Sequence, residues 1–236
     1  MIKAILFDLD NTLIDFTTFK KKATYAAAKA MVNSGLRANS KKLAKRLLKF
    51  YYTHGIESDD AFQKFLEEEF GKAEPRILAA GVNAYLKEKY LHLKPYPGVV
   101  ETLQKLRKKG LKLAVVSDGV RLKAWMRLNA AGLDKYFDTV VTYEDTGKKK
   151  PAPEPFLAAL KALKVKPEEA LMVGDWPERD IEGAKRLEIK TCLIKHENQK
   201  DKPDIKADYE IKRFEELLVV IKQVGGEYGV DTSSEG

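Results

Sequence analysis

The stretch Ala4-Ile5-Leu6-Phe7 runs directly into Asp8-Leu9-Asp10-Asn11-Thr12. A short apolar run bounded by polar residues reads as a buried strand. Asp8 and Asp10 follow it two positions apart, so in extended geometry both carboxylates point to the same side. Two acids aimed at one point repel each other, which is costly unless a cation or a reaction needs them. The simpler reading is a strand ending in a polar turn, and the rest of the chain decides between the two.

Outward from that strand the pattern turns helical. Phe19 to Val32 is rich in Ala and Lys, and Ser40 is placed to cap a helix carrying Leu43, Leu47, Leu48, Phe50 and Tyr51. Asp59 or Asp60 is expected to cap a third, with Phe62, Phe65, Leu66 and Phe70. A fourth is expected from Pro75 to Tyr90. No strand is expected between Thr17 and Leu93. Lys94-Pro95-Tyr96-Pro97-Gly98 then reads as a connector.

Beyond it strands and helices alternate. Strands are expected at Leu111–Val116, Thr139–Thr142, Ala170–Val173 and Ile189–Ile194. Helices are expected around Trp125 and Leu128, at Pro153–Leu163, from about Glu178 to Leu187, and at Phe214–Val224. Such alternation implies right-handed crossovers and an α/β fold: a Rossmann-like, doubly wound, mainly parallel sheet. The predicted organisation is a core of residues 1–16 and 94–224, a smaller all-helical insertion at 17–93, and a loose polar tail at 225–236.

The 236 residues are 44% hydrophobic and 33% charged, with no run long enough to span a bilayer. Met1-Ile2-Lys3 leads straight into the first strand without a signal peptide, so a cytoplasmic location and no membrane partner are expected. The single cysteine, Cys192, lies in the apolar run Thr191-Cys192-Leu193-Ile194 and reads as a buried structural thiol. The formal net charge is +8, and no Asp or Glu falls between Phe16 and Ile56, where Lys20, Lys21, Lys22, Lys29, Arg37, Lys41, Lys42, Lys45, Arg46 and Lys49 cluster. That block reads as a solvated helix face offset by the acidic stretch Glu57–Glu74. The chain carries none of the nucleic-acid-binding signatures, and no nucleic-acid partner is expected.

Open parallel sheets bind ligands outside the carboxyl ends of their strands. The residues that follow each predicted strand are Asp8 and Asp10, then Ser117-Asp118-Gly119, then Lys148-Lys149-Lys150-Pro151, then Gly174-Asp175 with Asp180 soon after. Carboxylates, a hydroxyl, a lysine and small residues on one edge suit an anion handled with a hard divalent cation. In the triple-lysine run the default is solvated charge. Pro151 singles out Lys150, because a residue before proline is pushed toward extended geometry.

Four motifs in this order make the chain resemble the haloacid dehalogenase superfamily, in its branch of Mg-dependent phosphatases. They are Asp8-Leu9-Asp10-Asn11-Thr12, Val116-Ser117-Asp118-Gly119, Lys150-Pro151-Ala152-Pro153, and Val173-Gly174-Asp175 with Asp180-Ile181-Glu182-Gly183-Ala184. The helical insertion sits where that family places its mobile cap. The resemblance implies that Asp8 is a nucleophile that becomes an aspartyl-phosphate, and that Asp10 is the acid and base serving the leaving group and water. It implies Mg²⁺ held by Asp8, the backbone carbonyl of Asp10, and Asp175, with Asp180 supporting from further out. Ser117 and the Asp118 backbone N–H would bind the phosphoryl group, Lys150 would neutralise it and Asp8, and Thr12 would orient the first loop. The expected partner is a small phosphorylated metabolite, chosen by the insertion.

Leu187-Glu188 stands where the family often has Ala-Gly. Trp176-Pro177 places a bulky ring beside Asp175, lining the pocket or packing beneath it; His54 and His92 are assigned no role. A metal-independent 2-haloacid dehalogenase or a phosphomutase would use the same fold. The acids at Asp10 and Asp175 argue against the dehalogenase, whereas a mutase differs only in excluding water. A non-catalytic polyanion-binding module would have no need of this acid set.

Overall fold

The computed structural model of this chain describes residues 1–55, 58, 60–195 and 205–225. In chain order the elements are β1 (Ala4–Phe7), α1 (Phe16–Asn33), α2 (Ser40–His54), α3 (Ala61–Phe70), α4 (Pro75–His92), α5 (Val99–Lys108), β2 (Lys112–Val116) and α6 (Arg121–Ala130). They continue with β3 (Thr139–Val141), α7 (Tyr143–Thr146), α8 (Pro153–Leu163), β4 (Ala170–Gly174), α9 (Gly183–Lys185), β5 (Lys190–Ile194), β6 (Tyr209–Ile211) and α10 (Leu217–Gly225). The chain separates into two compact units, residues 1–14 with 95–236 and residues 15–94. No described helix is long and apolar enough to cross a membrane.

The first unit is an α/β sandwich around a parallel six-stranded sheet of order β3-β2-β1-β4-β5-β6. Every residue of β1 and β4 is buried. A parallel sheet covered on both faces needs such unbroken apolar strands. On one face, Phe156, Ala159, Leu160 and Leu163 of α8 recur at helical spacing against Ala4, Leu6, Ala114 and Met172. On the other, Phe7 stacks on Phe214 with ring centroids 5.9 Å apart and meets Phe137 edge-on at 6.1 Å. Full burial of a ring such as Phe7 is worth about 1.5–3 kcal/mol. Strand order runs one way from β1 to β3 and the other way from β4 to β6. The crevice at that reversal lies beside the ends of β1 and β4, where ligands bind in such sheets.

Among the described residues, the regular elements of the second unit are all helices. Asp15 caps α1 by accepting the Thr18 N–H, and α4 begins at Pro75 with Glu74 accepting the N–H groups of Arg76 and Ile77. Leu43, Leu47, Phe50 and Tyr51 of α2 meet Phe62, Phe65 and Leu66 of α3 in a common core. At Gly81 a Cβ would run into the Met31 side chain, so glycine lets α1 and α4 approach. Most of the basic block is exposed, and Arg46 pairs with Glu69. Lys20 departs from that pattern. It is only 3% exposed, with Nζ 3.3 Å from the centroid of the Tyr51 ring and 2.9 Å from the Tyr85 hydroxyl. His54 stacks on Phe50 and His92 pairs with Glu88, both structural contacts.

Several expectations need correction. Asn39, not Ser40, caps α2, accepting the Lys42 N–H at 3.1 Å. Asp60 precedes α3, but its carboxylate binds Ser58 and Lys64 rather than the helix end; Asp59 lies outside the described residues. The expected helix from Glu178 is a widened π-type turn at Pro177–Glu182 followed by the short α9. Phe214–Glu216 forms a tighter 3₁₀ turn before α10, and α10 reaches Gly225; the rest of the tail expected at 225–236 lies outside the described residues. The sequence reading passed over α5 and β6. The latter is a three-residue edge strand with only Ile211 buried.

Candidate active site

β1 delivers the first pair of acids. The Asp8 N–H donates to the Val173 carbonyl at 2.9 Å, continuing the pairing of β1 with β4 past the last strand residue. The chain then turns: Asn11 adopts φ 61°, a left-handed conformation that asparagine tolerates, and its N–H donates to the Ile14 carbonyl at 2.8 Å. This turn tucks Thr12 fully inside, and its Oγ1 donates to Asp8 Oδ2 at 3.1 Å. Thr12 thus fixes the Asp8 carboxylate as well as the loop.

Lys150 takes the other oxygen. Its side chain is 1% exposed, and Nζ lies 2.6 Å from Asp8 Oδ1 and 2.8 Å from Asp180 Oδ1. Lys148 and Lys149 stay in solvent, so one lysine of the run goes inward. The Lys150–Pro151 bond is cis. The Lys150 N–H donates to Asp118 Oδ1 at 2.8 Å, fastening this loop to the end of β2. Burial alone would lower the Lys150 ammonium, but the charges of Asp180, Asp8 and Asp118 outweigh it and hold the group above its ordinary range.

Asp180 is presented by the Pro177–Glu182 turn. The Trp176 N–H donates to its Oδ2 at 3.0 Å, and the Asp180 N–H donates to the Trp176 carbonyl at 2.8 Å. Burial pushes its carboxyl up, Lys150 opposes that, and Asp8 and Asp175 add to it, leaving it at about 7. Gly174 makes the arrangement possible: a Cβ there would collide with the Asp180 carboxylate. Trp176 is partly buried, and the Arg179 guanidinium lies 4.3 Å from its ring centroid.

Ser117 sits buried at the end of β2, its N–H on the Val141 carbonyl and its Oγ accepting from the Gly119 N–H at 3.2 Å. The Asp118 carboxylate serves the Lys150 backbone and lies 3.6 Å from Arg179. That is a loop-fastening role which sequence reading, concerned with the Asp118 N–H, did not foresee.

Asp8, Asp175 and Asp180 form the one candidate metal cluster among the described residues, each offering a carboxylate oxygen within 4.8 Å of the others. Asp175 and Asp180 are buried. Three hard oxygen donors, few enough to leave places for water and substrate oxygens, fit Mg²⁺. Asp180 lies beside Asp8 and Asp175 in this cluster, with one oxygen on Lys150 and the other on the Trp176 N–H. The Asp10 side chain lies outside this cluster. Its Oδ1 is 3.0 Å from Nε of Arg127, a 2%-exposed residue of α6 that sequence reading passed over. An arginine on the inward face of an amphipathic helix was its only signal.

The profile of the haloacid dehalogenase-like hydrolases matches residues 5–194. The chain belongs to that family. Among similar haloacid dehalogenase-like hydrolases, the glyceraldehyde 3-phosphate phosphatase of Methanopyrus kandleri is 37% identical over 230 residues, covering 95% of this chain and 99% of its own. The phosphoglycolate phosphatase of Aquifex aeolicus is 35% identical over 192 residues, covering 81% and 84%. The crystal structure of a phosphatase of this family from Thermococcus onnurineus superposes with a TM-score of 0.69 at 28% identity, covering 93% and 98%. This family member is accordingly a hydrolase, and the relatives named above are phosphatases.

Proposed function

We propose that this chain is a phosphatase that hydrolyses small phosphorylated metabolites through an aspartyl-phosphate on Asp8, with Mg²⁺ as its cofactor. The phosphatase class rests on the family and its relatives; the route and the residue roles are those the family resemblance implies, and the geometry of the site supports them. The observation that carries them is Lys150, buried and shared between Asp8 and Asp180 at 2.6 and 2.8 Å, at the edge of a three-carboxylate cluster.

Thr12 and Lys150 hold the Asp8 carboxylate in one orientation, so that it meets phosphorus already aligned. As its oxygen bonds to phosphorus, the bond to the ester oxygen breaks and Asp10 gives that oxygen a proton. Asp10 then takes a proton from water as water attacks phosphorus, the Asp8–phosphorus bond breaks, and inorganic phosphate leaves. Splitting one hard displacement into two easier ones is what a carboxylate nucleophile offers. Ser117 and the Asp118 N–H bind phosphoryl oxygens, while Lys150 offsets their charge. One such preorganised donor is worth on the order of 3 kcal/mol. Asp8, Asp175 and Asp180, with the Asp10 carbonyl, would hold Mg²⁺, which supplies positive charge to the phosphoryl group when bound.

We read the helical unit of residues 15–94 as the cap that selects substrate. Glyceraldehyde 3-phosphate and phosphoglycolate, which the relatives' names specify, head the panel of substrates to try, and a cytoplasmic location suits that class. The acids at Asp10 and Asp175 favour this reading over a dehalogenase. The test is turnover of an aryl phosphate with Mg²⁺. Asp8→Asn abolishes it if Asp8 is the nucleophile, and unaltered turnover removes that assignment.

A further inference from the structure

We propose that Arg127 is a positioning residue that aims Asp10 at the leaving-group oxygen. The inference rests on the reading of Asp10 as acid and base given above.

Arg127 lies on α6, whose inward face also buries Ala124 and Leu128. A guanidinium 2% exposed among apolar neighbours is costly unless paired. Leucine or methionine would fill such a place more cheaply, so the arginine answers a need other than packing. The geometry shows which. Nε stands 3.0 Å from Asp10 Oδ1. That oxygen has essentially no accessible surface, yet the Asp10 side chain as a whole is 29% exposed. Oδ1 is thus the enclosed oxygen beside the guanidinium, which assigns the transferred proton to Oδ2. Rotation about the last bond of an aspartate is soft and roughly two-fold. An ion pair at Oδ1 removes that freedom and holds the carboxylate in one orientation.

The two acids of the first motif are thus held by different cations, Asp8 by Lys150 and Asp10 by Arg127. Lys150 binds the carboxylate that attacks, and Arg127 secures the one that moves a proton. In the first half-reaction the Oδ2 proton passes to the ester oxygen as its bond to phosphorus breaks, leaving an ionised carboxylate beside Arg127. In the second, water returns a proton to Oδ2. A general acid must lie within hydrogen-bond reach of its target, and a displacement of about 1 Å can cost on the order of 10²-fold in rate.

Leaving-group dependence separates this role from simple packing. An alkyl phosphate expels a strongly basic alkoxide that needs a proton, whereas 2,4-dinitrophenyl phosphate expels a stable phenolate that does not. Kinetics of Arg127→Met and Arg127→Lys on both substrates, with Asp10→Asn and the parent alongside, make the test. For Arg127→Met the expected result is a fall of about 10²-fold in kcat/KM on the alkyl ester and less than about threefold in kcat/KM on the dinitrophenyl ester. The quantity kcat/KM reads phosphoryl transfer to Asp8 and not the water step that both substrates share. Arg127→Lys, which keeps the charge without the planar geometry, should recover part of the alkyl activity. The ratio of the two rates is internal to each sample, so a reduced folded fraction cancels. Should Arg127→Met fail to fold, Arg127→Lys carries the same comparison. Equal losses on both substrates in the Arg127 variants, with the split present in Asp10→Asn, would overturn the positioning role alone. A missing split in Asp10→Asn would overturn the reading of Asp10 itself and the inference with it.

Discussion

Replacing Lys150 by methionine tests the centre of the site directly. Methionine keeps the apolar stem and removes the ammonium. At 2.6 and 2.8 Å, each ion pair carries about 6 kcal/mol of Coulomb attraction at an effective dielectric near 20. Most of that is cancelled by the cost of taking the charges out of water. What a single deletion exposes is the penalty of buried carboxylates left without their cation, about 3–5 kcal/mol. For a chain of this size each kcal/mol moves the thermal midpoint by about 2–4 °C, so Lys150→Met should melt about 6–20 °C below the parent. The measurement is calorimetry in EDTA, so that no metal replaces the missing charge. Adding Asp180→Asn removes one of the stranded charges while leaving an oxygen to accept the Trp176 N–H, and the double variant should regain most of the midpoint. Its phosphatase rate should stay on the order of 10²–10³-fold down, because the donor to the phosphoryl group is still absent. A single variant melting within a degree or two of the parent, or a double variant melting below the single, refutes the charge account of this lysine.

Other perturbations follow from the same geometry. EDTA should stop turnover of an aryl phosphate and Mg²⁺ should restore it; full activity in chelator would show that the Asp8, Asp175 and Asp180 cluster does not hold a required metal. Gly174→Ala places a Cβ against the Asp180 carboxylate, so kcat should fall at least about tenfold while stability changes by only about 1–3 kcal/mol; a kcat within twofold of the parent would show that Asp180 can shift freely. Burial first, then Glu210 and Glu216, pushes the Cys192 thiol up to about 12. A group with a raised pKa stays protonated at pH 8, so native alkylation should be roughly 10³-fold slower than for an ordinary thiol. Labelling by iodoacetamide read by mass spectrometry, native against guanidinium-unfolded, checks this, and equal rates would contradict the burial.

The parts of the site that were legible in sequence share one property: each ends a buried strand or begins the loop just past it. β1 and β4 are apolar throughout and stop where Asp8 and Asp175 begin, so the change from apolar to acidic marks both a strand end and a site edge. Lys150 was singled out from its two neighbours by the proline that follows it. The missed elements lacked such markers. β6 has one buried residue in three, too short a pattern to show alternation. The helix expected after Asp175 is widened into a π-type turn because Asp180 must fold back onto the Trp176 N–H. Asn39 displaced Ser40 as a cap because either side chain can accept the hydrogen bond, and the position of the first helical turn chooses between them.

By itself the sequence determined a chain of alternating strands and helices, an acid pair at the first strand end, and the identity of the groups along one sheet edge. Those are local facts, set by hydrophobic period and by where each apolar run stops. The tertiary structure alone decided that acids from positions 8, 175 and 180 lie within 4.8 Å of one another, and that Lys150 crosses to two of them. It alone turned Lys20 inward among tyrosines and set Arg127 against Asp10. A charged residue on a helix carries no local sign of its partner. Its surroundings are made by segments distant along the chain, and only packing brings the opposite charge within reach.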